Sequence, residues 1–266
     1  MNRSRHPSFF WGGVLVVVGV LFLLANLNLL NNIEWNLAWP VLLIGLGLWL
    51  LLARVGAGGK AVVNSAEARD GLTAGRLEIA VGAGDVDVRA ASLGDQLYTA
   101  HVDHLGSASE VRLDRATGTV RIWQQPEWWW FGAGRSKVNA QLNDSMPWAV
   151  DCSTGAISGT FDLSAAQLSR FDMKTGASRI DLKLPAPHGQ VPIRVEGGAL
   201  TVDLALPAGA SIKVQANAAA VHLNTEGARQ DGLGSREWRS AEFDAASDRY
   251  DVQVSGAAAT VNVIRR

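Results

Sequence analysis

Cysteine occurs once in 266 residues, at Cys152, so no intrachain disulfide forms and no CxxC pair can frame a metal knuckle. Charge is also scarce: Asp, Glu, Lys and Arg together make up 18% of the chain and the formal net charge is −1. Without an excess of Lys and Arg to displace counterions from phosphates, nucleic-acid binding loses its simplest argument and is not expected. A mean hydropathy of +0.09 argues against an intrinsically disordered chain. There is no GxSxG elbow, no HExxH and no Walker loop. The run Gly82 to Asp87, GAGDVD, lacks the last glycine of a dinucleotide fingerprint and the helix that should follow it.

The scarcity of charge is uneven. Between His6 and Ala53 the only charged residue is Glu34. Phe9 to Leu30 (FFWGGVLVVVGVLFLLANLNLL) is long enough at about 1.5 Å per residue to cross a hydrocarbon core of about 30 Å. Leu37 to Ala53 (LAWPVLLIGLGLWLLLA) sits at the lower limit of spanning length, with Pro40 in its first turn, where a missing N–H costs little. The first run is long for a cleavable leader, no small-x-small site closes it, and a second apolar segment follows. The expectation is a transmembrane helical hairpin over residues 1–54, with helices at about 9–30 and 37–53, embedded in a lipid bilayer.

Arg3 and Arg5 precede the first helix, Arg54 and Lys60 follow the second, and the intervening turn carries no basic residue. These topology determinants place both termini in the cytoplasm. Trp11, Trp35, Trp39 and Trp49 fall near the helix ends, where indoles anchor in the headgroup zone. Gly12, Gly19, Gly45 and Gly47 allow close helix packing, either within the hairpin or between copies in a homo-oligomer.

Residues 55–75 read as a Gly- and Ala-rich linker with helical tendency around Val62 to Ala68. From Arg76 to the end, short alternating stretches separated by Gly, Pro, Asn or Asp predict an all-β domain over 76–266. Six segments within it share a small-small-x-x-apolar-polar-apolar pattern, among them GAGDVDV at Gly82, GASRIDL at Gly176, GALTVDL at Gly198 and AAATVNV at Ala257. Gly155, Gly176, Gly198 and Asn217 begin successive copies, and a period of about 20 residues fits one β-rich unit per repeat. The fold expected is a short β-solenoid or stacked-rung prism, with the small residues at tight corners. Gln96 to Gln125 reads as a hairpin excursion in which LYTAHVDH pairs with EVRLDRATGTVRIW, itself turning at Thr117 and Gly118.

Alternation turns Asp87, Asp162, Asp181, Asp203, His222 and Asn262 outward. Stacked carboxylates invite a Ca²⁺ reading, but Ca²⁺-binding solenoids repeat Gly-Asp turns at about half this period, so a solvated face is expected and no metal. His101 and His104 lie three apart on a strand and point to opposite faces. Cys152 has no nucleophile signature and reads as a buried thiol. No catalytic residue and no cofactor is expected. A hydrolase would need Asp203 and His222 brought together across rungs.

Glu127 to Lys137 (EWWWFGAGRSK) sets Trp128, Trp129, Trp130 and Phe131 in a row. On a strand these rings divide between two faces. They either cap an open edge of the β domain or, with Arg135 and Lys137, form a contact patch for a partner protein or the membrane surface.

The two apolar segments carry an aromatic-Gly start, an FLLxNL exit and a WPxLLIxxGxxLL second helix. They resemble the transmembrane module of LiaI/LiaF-type bacterial envelope-stress proteins. The repeats after Gly155, with GAxxxxDL and LP elements, resemble the toast-rack or adhesin-like β domain that often follows that module. The resemblance implies a non-enzymatic bacterial membrane protein that modulates a cell-envelope stress response, commonly by restraining a sensor histidine kinase. The competing expectation is an extracytoplasmic module for cell-wall or lipid ligands.

Overall fold

A computed structural model describes residues 60–105, 109–124 and 135–266. The two apolar segments, and with them the hairpin, Arg3, Arg5, Arg54, Trp11, Trp35, Trp39 and Trp49, lie outside the described residues, as do Trp128, Trp129, Trp130 and Phe131. The chain divides into two compact units at residues 57 and 58, and the second holds all the described residues.

That second unit is built from fourteen described strands: β1 (Lys60–Ala68), β2 (Gly75–Ala91), β3 (Gln96–Leu105), β4 (Ser109–Asp114), β5 (Thr119–Gln124), β6 (Arg135–Asn143), β7 (Pro147–Asp162), β8 (Gln167–Lys174), β9 (Ala177–Lys183), β10 (Gln190–Glu196), β11 (Ala199–Leu206), β12 (Ser211–Thr225), β13 (Ala228–Arg239) and β14 (Arg249–Arg265). The pairings form one sheet folded into two layers. The first layer runs β4, β5, β2, β7, β8, β10, β14, β12, β13; the second runs β1, β3, β6, β2, β7, β9, β11, β14, β12, β13. The long strands β2, β7, β12, β13 and β14 contribute one half to each layer.

Alternation drives the layers together. Ile180, Leu182, Val202, Leu204, Val221, Leu223, Val261 and Val263 are buried, as their outward-polar spacing predicts, and they share one core with Leu77, Ile79, Val150, Phe171, Ile193 and Val252 of the other layer. Phe161 of β7 and Phe171 of β8 meet across the layers edge to face, centroids 5.1 Å apart at 83°.

Small residues make the corners. The amide N–H of Gly176 donates to the carbonyl oxygen of Gly155 (2.5 Å), that of Gly198 to Gly176 (2.6 Å) and that of Ala257 to Gly198 (2.8 Å), so successive rungs stack through backbone where a side chain would intervene. The rung step is the repeat itself: Ser158 pairs with Arg179, and Arg179 with Thr201, each partner lying one repeat further along the chain.

Three expectations are corrected. The domain is not a solenoid, because the rungs do not stack in chain order: after β12 the chain turns back as the antiparallel β13, and β14 then enters between the β10–β11 rung and β12. In that slot the backbone of β14 finds partners on both sides, which neither edge position offers. Residues 60–68, read as linker with helical tendency, form strand β1, whose Val63 packs against the core. The hairpin β4–β5 forms with its turn at Arg115 to Gly118, but β3 does not join it; β3 lies between β1 and β6 in the second layer.

Candidate functional site

The parallel register aligns outward side chains into rows that cross the second layer. One row reads Asn64, His101, Asn139, Asp87, Thr160, Asp181, Asp203, Asn262, Asn224, Arg229, polar on every strand. Asn224 Nδ2 donates to Asn262 Oδ1 (2.7 Å), and Asn262 Nδ2 donates to Asp203 Oδ1 (2.5 Å), so this part of the row is a relay of side-chain amides ending on a carboxylate. The neighbouring row sets Thr99, Gln141, Arg89, Asp162 and Lys183 side by side.

Where β1, β3, β6 and β2 adjoin, these two rows line a trough of about 660 Å³. His101 Nδ1 lies 2.6 Å from Asn64 Oδ1 and its Nε2 lies 3.3 Å from Asp103, so both ring nitrogens have a partner. Asp87 receives both nitrogens of a bidentate Arg89 guanidinium at 2.8 Å. Thr99, Asn139 and Gln141 complete the lining. The site offers amides, a hydroxyl, an imidazole and a carboxylate–guanidinium pair within one open concavity, the chemistry for hydrogen-bonding a polar surface.

The first layer carries charge instead. Asp151 lies 2.6 Å from Arg170 and 3.6 Å from Arg76, and Asp172 lies 3.0 Å from Arg170 and 3.9 Å from Arg194. This ladder crosses four strands beside a shallow groove of about 450 Å³. Each of its two carboxylates is shared between two of its three arginines, which suits it to strapping rungs together.

The structure separates several residues that the repeat pattern groups. Asp162 is not in the row of Asp87; Thr160 takes that place and Asp162 lies in the next row, bound to Lys183 Nζ at 2.9 Å. His222 aligns with Thr260, not with Asn262. The Asp203 and His222 pair that a hydrolase would need is not assembled: Asp203 holds Asn262 and faces Arg179, while His222 Nδ1 lies 2.8 Å from Asp231 of β13. The hydrogen bond from His222, together with Arg229, holds the Asp231 carboxyl below the usual carboxylate range. Among the described residues no three His, Cys, Asp or Glu converge as metal ligands. Cys152 is buried, and burial first, then the neighbouring Asp151 charge, pushes its thiol far up. Lys137 is exposed on β6, its backbone registered between Asp85 and Asp103, and Arg135 and Lys60 open β6 and β1. Asn64, Thr99, Asn139 and Gln141 lie outside the repeats; their alternation is visible in sequence, but only cross-strand register unites them.

The described unit is thus of the class of two-layer β domains made of stacked, corner-turning rungs. The family model for the N-terminal domain of toast_rack matches residues 58–205, more than half of the chain, and the protein belongs to that family. A second model, the LiaI-LiaF-like transmembrane region, matches residues 9–51, so the chain carries a membrane-anchoring region of that type ahead of the β domain. Among solved structures, a "putative cell adhesion protein" from Clostridium sporogenes ATCC 15579 is similar at a TM-score of 0.66 and 16% identity, covering 78% of this chain and 100% of that one, a likeness of fold. A "putative adhesin" from Bacteroides fragilis NCTC 9343 matches at a TM-score of 0.22 and 6% identity over 78% of this chain and 99% of that one. A comparison with curated proteins gives no match.

Proposed function

We propose that this protein is a non-enzymatic, membrane-anchored regulator or scaffold of a bacterial cell-envelope stress response, acting by contact with a membrane signalling partner such as a sensor histidine kinase. In this reading two helices form the anchor, both termini are cytoplasmic, and the trough on the second layer receives the partner. The observation that carries the reading is the pairing of a LiaI-LiaF-like transmembrane region with a β domain that carries an open trough rimmed by amide, hydroxyl, imidazole and charged side chains. A photo-crosslinking residue at Gln141 in the intact membrane protein tests it. The expected adduct contains a sensor kinase, and deletion of the protein changes the output of the corresponding stress reporter. A stress output unchanged by deletion, with no kinase adduct, overturns the reading.

The amide and hydroxyl lining of the trough favours a second reading, in which the β domain lies outside the cell and binds polyhydroxylated cell-wall ligands. A topology reporter fused after Arg266 separates the two. Activity only outside the cell supports the second reading and overturns the first.

A further inference from the structure

Strand β13 forms one end of both layers. It pairs with β12 alone among the described residues, and it carries Leu233, 77% exposed and the most exposed large hydrophobic side chain of the described domain. A twelve-residue edge of this kind is a template for another strand. The strand turns the corner of the prism at its middle. Gly234 pairs with Ala218 and Gly232 with Val221, the ladder is irregular between them, and both glycines have positive φ (+81° and +157°). Leu233 is therefore the apex, with Ala228 to Gly232 in one layer and Gly234 to Arg239 in the other.

We infer that β13 is a two-fold docking edge for a second copy of this chain, the two strands running antiparallel with Leu233 opposite Leu233 on the symmetry axis. Two independent observations select that register. The first is shape: a bent strand can lie along a bent copy of itself only if apex meets apex, and the two-fold then continues each layer of one copy into the other layer of the second. The second is charge. With Leu233 on the axis, Arg229 faces Glu237 of the second copy, twice by symmetry, and Asp231 faces Ser235. Moving the axis one residue, to Gly234, sets Arg229 against Arg239 and Asp231 against Glu237, like charges directly opposite. The register also keeps each face in place. Gln230, Arg236 and Trp238, all half-buried at the open end of the core, lie under their symmetry mates Arg236, Gln230 and Ala228. In the single chain Arg236 donates to the carbonyl oxygens of Leu233 (3.2 Å) and Ser235 (2.9 Å), so it occupies acceptors that the second strand takes over.

The test uses the full chain in membranes. Opposed residues of antiparallel strands have Cα atoms about 4.5 to 5.5 Å apart, within the span of a disulfide. Leu233→Cys is expected to give a disulfide-linked dimer on mild oxidation, whereas Ile264→Cys, 58% exposed on β14, stays monomeric. Adding Arg229→Glu to Leu233→Cys is expected to slow crosslinking at least tenfold, and adding Glu237→Arg as well to restore it, since the swap re-forms both inter-copy pairs. Thermal unfolding of each variant confirms that the domain remains folded. Crosslinking at position 233 no faster than at 264 overturns the proposal, as does a rate indifferent to the 229 and 237 charges. A dimer held only through the transmembrane region gives that indifferent result.

Discussion

A methyl group added to Gly176 would lie 2.7 Å from the carbonyl oxygen of Gly155, the same oxygen that accepts the Gly176 amide hydrogen at 2.5 Å. The obstacle is backbone held by a rung on each side, so it cannot swing away as a side chain would. Gly176→Ala is expected to destabilise the domain by about 1 to 3 kcal/mol, the usual cost of overpacking. Gly189→Ala, which meets no atom within 4 Å, lacks that clash and loses only what its +70° φ costs, about 1 kcal/mol. Comparison of thermal midpoints checks both: Gly176→Ala should fall further below the parent than Gly189→Ala, and a Gly176→Ala midpoint at the parent's value would mean that the corner relaxes.

The T-shaped contact of Phe161 with Phe171 joins the layers at the centre of the core. Phe161→Leu and Phe171→Leu should each lower stability, and the double variant should lose less than the sum, with a coupling of about 1 kcal/mol. Strict additivity in denaturant unfolding would show that the rings contribute only buried area.

What the sequence makes legible here follows from the two-residue period of a strand. Val202 and Leu204 flank Asp203, and that spacing alone places two side chains inside and one outside. The corner glycines Gly155, Gly176 and Gly198 and their near-even spacing are legible for the same reason, since each rung repeats one pattern. The interval from Gly198 to Asn217 is not a rung step, because β14 stands between those strands, and only backbone pairing reveals it. Asp162 and His222 sit two residues away from their expected row. A slip of one residue would have turned every side chain to the wrong face, whereas a slip of two preserves every face and leaves no trace in hydrophobic pattern. The trough is hidden likewise, since it joins β1, β3, β6 and β2 across antiparallel and parallel pairings that no local pattern encodes.

Cys152 is 4% exposed with its thiol pushed far above the ordinary range, burial being the main cause. Only the thiolate reacts at a useful rate. A maleimide should therefore label Cys152 in denaturant and leave the native chain unlabelled over the same time. Rapid native labelling would show that the β7 rung opens locally.

Burial pushes the Asp162 carboxyl up, but hydrogen bonds from Ser164 and Lys183 outweigh it, and the net result is a carboxyl below its ordinary value. A carboxylate depressed on folding contributes stability that is fully present above its unfolded pKa, about 3.9, and is lost as pH falls through the lower folded value. Asp162→Asn removes that contribution. The variant should unfold at lower temperature than the parent at neutral pH, and the gap should narrow on acidification, beginning below about pH 4 as the parent's own carboxyl takes up its proton. Lys183→Met leaves the carboxylate with its Ser164 bonds alone, so its gap should also close in acid. A gap that stays constant from neutral to acid pH would mean that Asp162 acts through packing and not through its charge.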